Sequence, residues 1–252
     1  MLNYLSAELW RMTRRRGDLL AWGVFLLLVL LVGLTYRGST PWAVLMGFEN
    51  FMVMGLYLAF PLAEWAGGGS ERSGGLVNEV AFGLPRARIY LGKLFAALLV
   101  GTALFLLTAF VFFMGALSTG TVLAQSGEER AMVSAGLLLA MLRSLPRYVG
   151  AVSLACFLVF TLRPAGVGAV LYYLYITLGE LVLSVSSFYG LGPVGELVNR
   201  FMALVRPFLL SSTYYGLGNV PSTLCNSWLT GALWLVLTTG LGLILFRRKE
   251  IR

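Results

Sequence analysis

The sequence predicts an all-α integral membrane protein with six transmembrane helices, and three observations carry that expectation. Of the 252 residues, 58% are apolar and only 12% are charged, about half of the roughly 25% that a water-facing surface draws on. With a mean hydropathy of +0.83, the chain has lipid as its outer solvent, and the same arithmetic excludes disorder. Six runs approach or exceed the roughly 20 apolar residues that cross about 30 Å of hydrocarbon. The basic residues, finally, are unevenly divided between the loops that join those runs.

The spans are read at Leu19 to Tyr36, Ala43 to Ala66, Leu94 to Thr119, about Arg147 to Leu162, Gly166 to Phe188 and Trp228 to Phe246. With the N-terminus inside, 13 of the 19 Lys and Arg residues fall on the inner side and 6 on the outer. Both termini are therefore expected in the cytoplasm. The net charge of +8 is mostly this topology signal, and no aromatic-interleaved basic face suggests nucleic acid. Arg14-Arg15-Arg16 before span one resembles the charged start of a secretory signal. The apolar run is longer than the usual run of about 7–15 residues, however, and no small-residue cleavage site follows Tyr36, so the first span is retained.

The whole chain, 1–252, reads as one transmembrane domain with three segments outside its spans. Residues 1–16 carry Leu2, Leu5, Leu9 and Met12 at helical spacing, with Glu8, Arg11 and Arg15 turned elsewhere. This is the pattern of an interfacial helix whose arginines face anionic headgroups, or of a plain extension of span one. The inner loop, 67–93, begins with Gly67-Gly68-Gly69, which breaks the second span. A short helix over Leu76 to Phe82 follows, ended by Gly83 and Pro85 and flanked by Arg86, Arg88 and Lys93. It reads equally as a docking element for a cytoplasmic partner and as an ordinary positive-inside loop.

Ala131 to Leu145, stopped by Pro146, is expected to be an outer interfacial helix or an extension of span four. The outer segment, 189–227, sets Val194, Leu197, Val198, Phe201 and Val205 on one helical face, opposite Glu196, Asn199, Arg200 and Arg206. It is read as one or two amphipathic or re-entrant helices.

The missing residue types narrow the chemistry. There is no histidine and one aspartate, Asp18, which excludes Ser-His and Cys-His nucleophiles, His-ligated zinc and intramembrane aspartyl dyads. Two cysteines, Cys156 and Cys225, do not make a disulfide framework, and Cys156 reads as a small packing residue. A P-loop needs G-x-x-x-x-G-K-[ST]. Gly92-Lys93 is followed by Leu94, and Ala87 stands where the first glycine belongs, so this chain carries no nucleotide site of that kind. No catalytic, cofactor or metal residues are assigned.

Glu49 in span two and Glu180 in span five are the sharpest single-residue leads. A charge near mid-membrane costs about 2.5–3.5 kcal/mol, so it faces protein or a wet cavity. Each glutamate either lines a polar path or holds a structural partner such as a helix hydroxyl or an outer arginine. Tyr172, Tyr173 and Tyr175 fall in the inner half of span five, where a hydroxyl on an apolar ring suits a cavity wall or ordinary helix packing.

In order along the chain, the N-terminal helix, six spans, the loop GLVNEVAFGLPRARIYLGK, an outer segment ending in Arg206-Pro207-Phe208 and the terminal LFRRKEI run resemble the permease subunit of type-2 ABC exporters, the superfamily of drug and lantibiotic-immunity transporters. Gly83, Arg86, Ile89 and Lys93 match that family's Gly-x-x-Arg-x-x-Ile pattern before a lysine, with Pro85 where a small hydroxyl residue is more usual. The resemblance implies a bacterial plasma-membrane protein paired with a second copy or a sister permease. It implies two cytoplasmic ATPase subunits, which hold the ATP and magnesium. It makes Gly74, Gly75, Leu76, Val77, Asn78, Glu79, Val80, Ala81 and Phe82 the coupling helix, and places Glu49, Glu180, Tyr172 and Tyr175 along the path of an amphiphilic peptide, drug or lipid-like substrate. A secondary transporter or channel working through the membrane glutamates is the alternative, although no inverted repeat is evident.

Overall fold

The computed structural model describes residues 2–36, 40–68, 75–118, 127–162, 165–184, 192–205, 208–211 and 220–248. Among these the secondary structure is entirely helical, and five stretches are long and apolar enough to cross a membrane: Arg16–Thr35, Ala43–Gly67, Arg86–Ala116, Ser134–Thr161 and Thr223–Arg247. The chain is an all-α, multi-pass membrane protein. The expected fifth span lies in a helix of 20 residues, Ala165–Ser184, whose apolar described stretch, Gly166–Gly179, is shorter than the other five.

In chain order the helices are α1 (Leu2–Thr13), α2 (Arg16–Thr35), α3 (Pro41–Met54), α4 (Ala59–Ala63), α5 (Gly75–Ala81), α6 (Arg86–Ser118), α7 (Gly127–Thr161), α8 (Ala165–Ser184), α9 (Gly192–Val205) and α10 (Val220–Arg248). A 3₁₀ turn, Gly55–Leu58, joins α3 to α4, and a π-helical turn, Glu64–Gly68, follows α4. The apolar stretch before Pro146 is an extension of span four, because α7 runs unbroken through that proline.

The hub is α7. From Ala151 to Cys156 six consecutive side chains are buried, so this stretch is enclosed on every side and not on one stripe. Its most extensive partner is α10, and the reason is the absence of side chains. A Cβ on Gly231 would run into the Pro146 carbonyl, and one on Gly150 would come within 3.3 Å of the Gly231 Cα. Small residues let helix backbones approach closely where lipid supplies no hydrophobic drive between helices. Ser153 and Thr238 then share a 2.6 Å hydrogen bond across the seam. The outer layer is α2, which carries a stripe of exposed side chains at Leu19, Leu20, Val24, Leu27, Leu28 and Leu31.

Span two is a helix in pieces, and Pro61 explains the break. Proline has no N–H to give the carbonyl four residues back and its ring clashes with that carbonyl; here the residue is Tyr57, inside the 3₁₀ turn. Tyr173 of α8 supplies the missing donor, its hydroxyl 3.4 Å from the Tyr57 oxygen. Beside it the Tyr172 hydroxyl donates to the Leu56 carbonyl at 2.6 Å. Two tyrosines of α8 thus serve the backbone that the proline disturbs.

Between α9 and α10, Phe208, in 3₁₀ conformation, leads into a short irregular piece, Leu209 to Ser211, level with the middle of α8 and α10. The Phe208 carbonyl accepts from Trp234 Nε1 at 2.8 Å and from the Tyr175 hydroxyl at 3.3 Å. The same hydroxyl receives the Leu210 N–H at 3.4 Å. Non-helical backbone at such a level is tolerated where protein side chains satisfy it. Of the expected apolar face of α9, Val194, Leu197 and Phe201 are exposed and Val198 and Val205 half-buried, and Glu196 lies near Arg200 at 3.9 Å.

Candidate functional site

The short helix α5 is shaped by its end. Gly83 takes a φ of +78°, which glycine adopts without steric cost. The Gly83 N–H then bonds the Val80 carbonyl at 2.9 Å and the Leu84 N–H reaches the Glu79 carbonyl at 3.3 Å. That pair of bonds closes the helix in a Schellman motif and turns the chain into α6. Leu76 is buried and Glu79 and Val80 are half-buried, while Val77, Asn78 and Ala81 point outward and Phe82 is 87% exposed. Of the residues expected to form this helix, Gly74 lies outside the described residues and Gly75 is its first residue.

Behind the inner face of α5 sits a fully buried lysine. Lys93 of α6 has 0% exposure, a position that a lone ammonium does not tolerate. It is held by two carboxylates from two other helices, Glu8 of α1 at 2.7 Å and Glu79 of α5 at 3.1 Å. Arg11 of α1 pairs with Glu8 and lies 3.8 Å from Glu79. Two cations thus meet two anions, and charge balances within the junction.

The junction reaches a fourth element. Arg11 Nη2 donates to the Ala66 carbonyl at 3.0 Å and Arg15 Nη1 to the Trp65 carbonyl at 3.1 Å. Both acceptors belong to the π-helical turn, where spare carbonyls at a helix C-terminus attract cations. Tyr4 completes the cluster. Its ring lies against Gly92, where a Cβ would collide with it, and its hydroxyl donates to Glu79 Oε2 at 2.9 Å. Burial, reinforced by the charges of Glu8 and Glu79, pushes the Tyr4 phenol well above its ordinary pKa. It remains a donor at physiological pH.

This geometry alters the reading of residues 1–16. Leu9 and Leu5 pack on the protein core and Met12 is buried in it, so the apolar edge of α1 faces protein. Arg11 and Arg15 turn inward as described, and only Arg14 and Arg16 are exposed. The side chain of Leu2 lies outside the described residues. The physical reason is the buried Lys93 beside α1, which draws Glu8 inward, while Glu8 and the Ala66 and Trp65 carbonyls hold Arg11 and Arg15.

A second polar cluster lies near the other end of the bundle. Glu49 of α3 faces Arg143 of α7, with Nη1 3.8 Å from Oε1. The two line a cavity of about 30 Å³ with Ala140, Ser144, Arg147, Thr223 and Ser227, which has room for ordered water. Glu49 thus has an arginine as its charged neighbour and also lines a small polar cavity. Glu180 belongs to α8, but its side chain lies outside the described residues. Tyr172 is buried on the broken span two, and Tyr175 is bound to the 208–211 piece.

Sequence reasoning singled out Glu79 as part of a docking helix and Lys93 as a border anchor, but did not join either to Glu8 or Arg11. The sequence carried no specific signal for that junction: a lysine directly before an uncharged run is expected to snorkel to water, and this one is buried instead. Arg143 as the partner of Glu49 had no signal more specific than its outer position. Among the described residues no group of histidine, cysteine, aspartate and glutamate could hold a metal. No family model and no curated protein matches the chain.

Proposed function

We propose that this chain is the permease subunit of an ATP-driven exporter of the type-2 ABC class. Helix α5 is then the coupling helix, held out on the cytoplasmic side between spans two and three, with six spans in all and both termini inside a bacterial plasma membrane. Two separate ATPase subunits dock beneath α5, and a second copy of this chain or a sister permease completes the pathway for an amphiphilic peptide, drug or lipid-like molecule. ATP and magnesium belong to the ATPase subunits. Closure of the ATPase pair displaces α5 and switches access of the cavity from one side of the membrane to the other.

The observation that supports this reading is the two-faced character of α5. Its inner face is fixed through Glu79 to α1 and α6, whereas its outer face presents Val77, Ala81 and Phe82 to solvent. A polar loop that merely satisfies charge topology has no need of an exposed phenylalanine next to a buried salt bridge. A helix that receives a push and passes it on needs both an exposed contact and a rigid attachment.

The test is a detergent pull-down of the tagged protein from its native cells, with mass spectrometry and an ATPase assay of what co-purifies. Recovery of a P-loop ATPase, lost when Leu76 to Phe82 are replaced by a Gly/Ser linker in protein that still inserts, supports the exporter. Purification of the chain alone under gentle crosslinking moves the secondary transporter or channel to first place.

A further inference from the structure

The apolar edge of α1 is spent on protein, so its outward face is free to do something else. That face carries Asn3, Ser6, Ala7, Trp10, Thr13 and Arg14, all exposed. Trp10 is 61% exposed, and the Arg14 guanidinium lies over its ring, 4.4 Å from the centroid. An indole favours the membrane interface, where its body is apolar and its N–H is wet. An arginine stacked on an aromatic face still offers its donors edgewise, in a fork that matches phosphate. Among the described residues, neither Arg14 nor Arg16 has a carboxylate within ion-pair reach; Glu8 and Asp18 are engaged by Lys93, Arg11 and Arg15.

The position of these groups is set by α2. Its exposed apolar stripe begins at Leu19 and Leu20, about one turn above Arg16. Trp10, Arg14 and Arg16 therefore stand at the foot of a lipid-facing surface, at headgroup level. The opposite side of α1 is closed onto α5 through Glu8, Lys93, Glu79, Arg11 and Tyr4. Opening the buried Glu8–Lys93 pair leaves an uncompensated charge, and the half-buried Glu79 is held by the same ammonium and by Tyr4, so α1 and α5 move as one body.

We propose that Trp10, Arg14 and Arg16 form a docking patch for anionic lipid headgroups, and that headgroup engagement of α1 sets the position of α5 through the Glu8–Lys93–Glu79 junction. Anionic lipid is then a regulator of the partner-docking helix. The consequence for transport rests on the exporter reading above; the movement of α5 does not.

The test uses the full chain without any partner. A Cys225→Ser background leaves only the buried Cys156, and a spin label at Asn78→Cys reports the depth and mobility of α5. The protein is reconstituted in vesicles of phosphatidylcholine alone or with phosphatidylglycerol, and the lipid retained on the protein is counted by native mass spectrometry. Phosphatidylglycerol is expected to be enriched and to shift the label, with about a five-fold loss of enrichment for each arginine removed in Arg14→Gln and Arg16→Gln. The double variant Glu8→Met/Lys93→Met replaces the pair with apolar volume, which buried pairs often tolerate, and should keep the enrichment while losing the shift. Enrichment unchanged in Arg14→Gln/Arg16→Gln overturns the patch, and an unshifted wild-type label despite enrichment overturns the coupling. Either failure leaves the pull-down to decide the exporter reading.

Discussion

Lys93 Nζ stands 2.7 Å from Glu8 Oε1, although 85 residues separate them in the chain. This one contact ties the first helix to the start of α6, and because Glu79 accepts from the same ammonium at 3.1 Å, it ties both to α5. Three elements that lie on the border of the bundle are thereby fixed to one point.

Removing the centre of that junction should be costly. Lys93→Met leaves Glu8 and Glu79 to share Arg11, and breaking a buried pair by deleting one partner costs about 3–5 kcal/mol. The expected outcome is a large drop in the temperature at which the detergent-solubilised protein loses its monodisperse elution peak. Restoring charge balance with Glu8→Met in the same chain should recover most of it. A Lys93→Met protein as stable as wild type would show that the junction is not formed.

The outer face of α5 should behave in the opposite way. Phe82→Ser removes an exposed ring that touches little of its own chain, so stability should stay within about 0.5 kcal/mol of wild type. Under the exporter reading the same substitution should sharply reduce recovery of the ATPase. An apolar anchor at a docking surface carries about 2 kcal/mol or more of binding, which is roughly a thirty-fold weaker complex. Equal recovery of ATPase with Phe82→Ser would remove Phe82 from the contact.

What could be read in the sequence follows from what is local. The apolar runs marked where helices cross, and Gly83 with Pro85 marked the end of α5, because glycine and proline act on the backbone at their own positions. Helical spacing also separated the apolar edge of α1 from its charges. It did not say what either face would meet, and the apolar edge that sequence reasoning gave to an interface is packed on protein. Long-range pairing was illegible for the same reason: Glu49 fitted an arginine or a hydroxyl, and only the packing of α3 against α7 brings Arg143 to it. The junction of Glu8, Lys93 and Glu79 required three helices to converge, which no single periodicity encodes.

Glu49 and Arg143 offer a direct measure of that convergence. If they act as a pair, Glu49→Gln and Arg143→Gln should be non-additive, with a coupling of about 0.5–3 kcal/mol in a double-mutant cycle read by thermal unfolding. The path reading adds a separate requirement. Under it Glu49→Gln or Glu180→Gln should lower transport at equal protein levels, and if both leave transport unchanged the two glutamates do not line the path.

The close seam between α7 and α10 makes a prediction with a built-in control. Gly231 lies against the Pro146 carbonyl, and that atom belongs to backbone, so Gly231→Ala must force the helices apart. Overpacking of this kind costs about 1–3 kcal/mol. Gly240 is on the same helix and has nothing within 4 Å of the place its Cβ would occupy. There alanine meets open space, and the gain in helix propensity should stabilise by up to about 1 kcal/mol. The two substitutions add the same methyl group to one helix, nine positions apart, and should move the unfolding temperature in opposite directions. If both stabilise, α7 and α10 are not in backbone contact at Pro146. If both destabilise equally, the exposed face of α10 at Gly240 is covered by something outside this chain, as a second permease subunit would cover it.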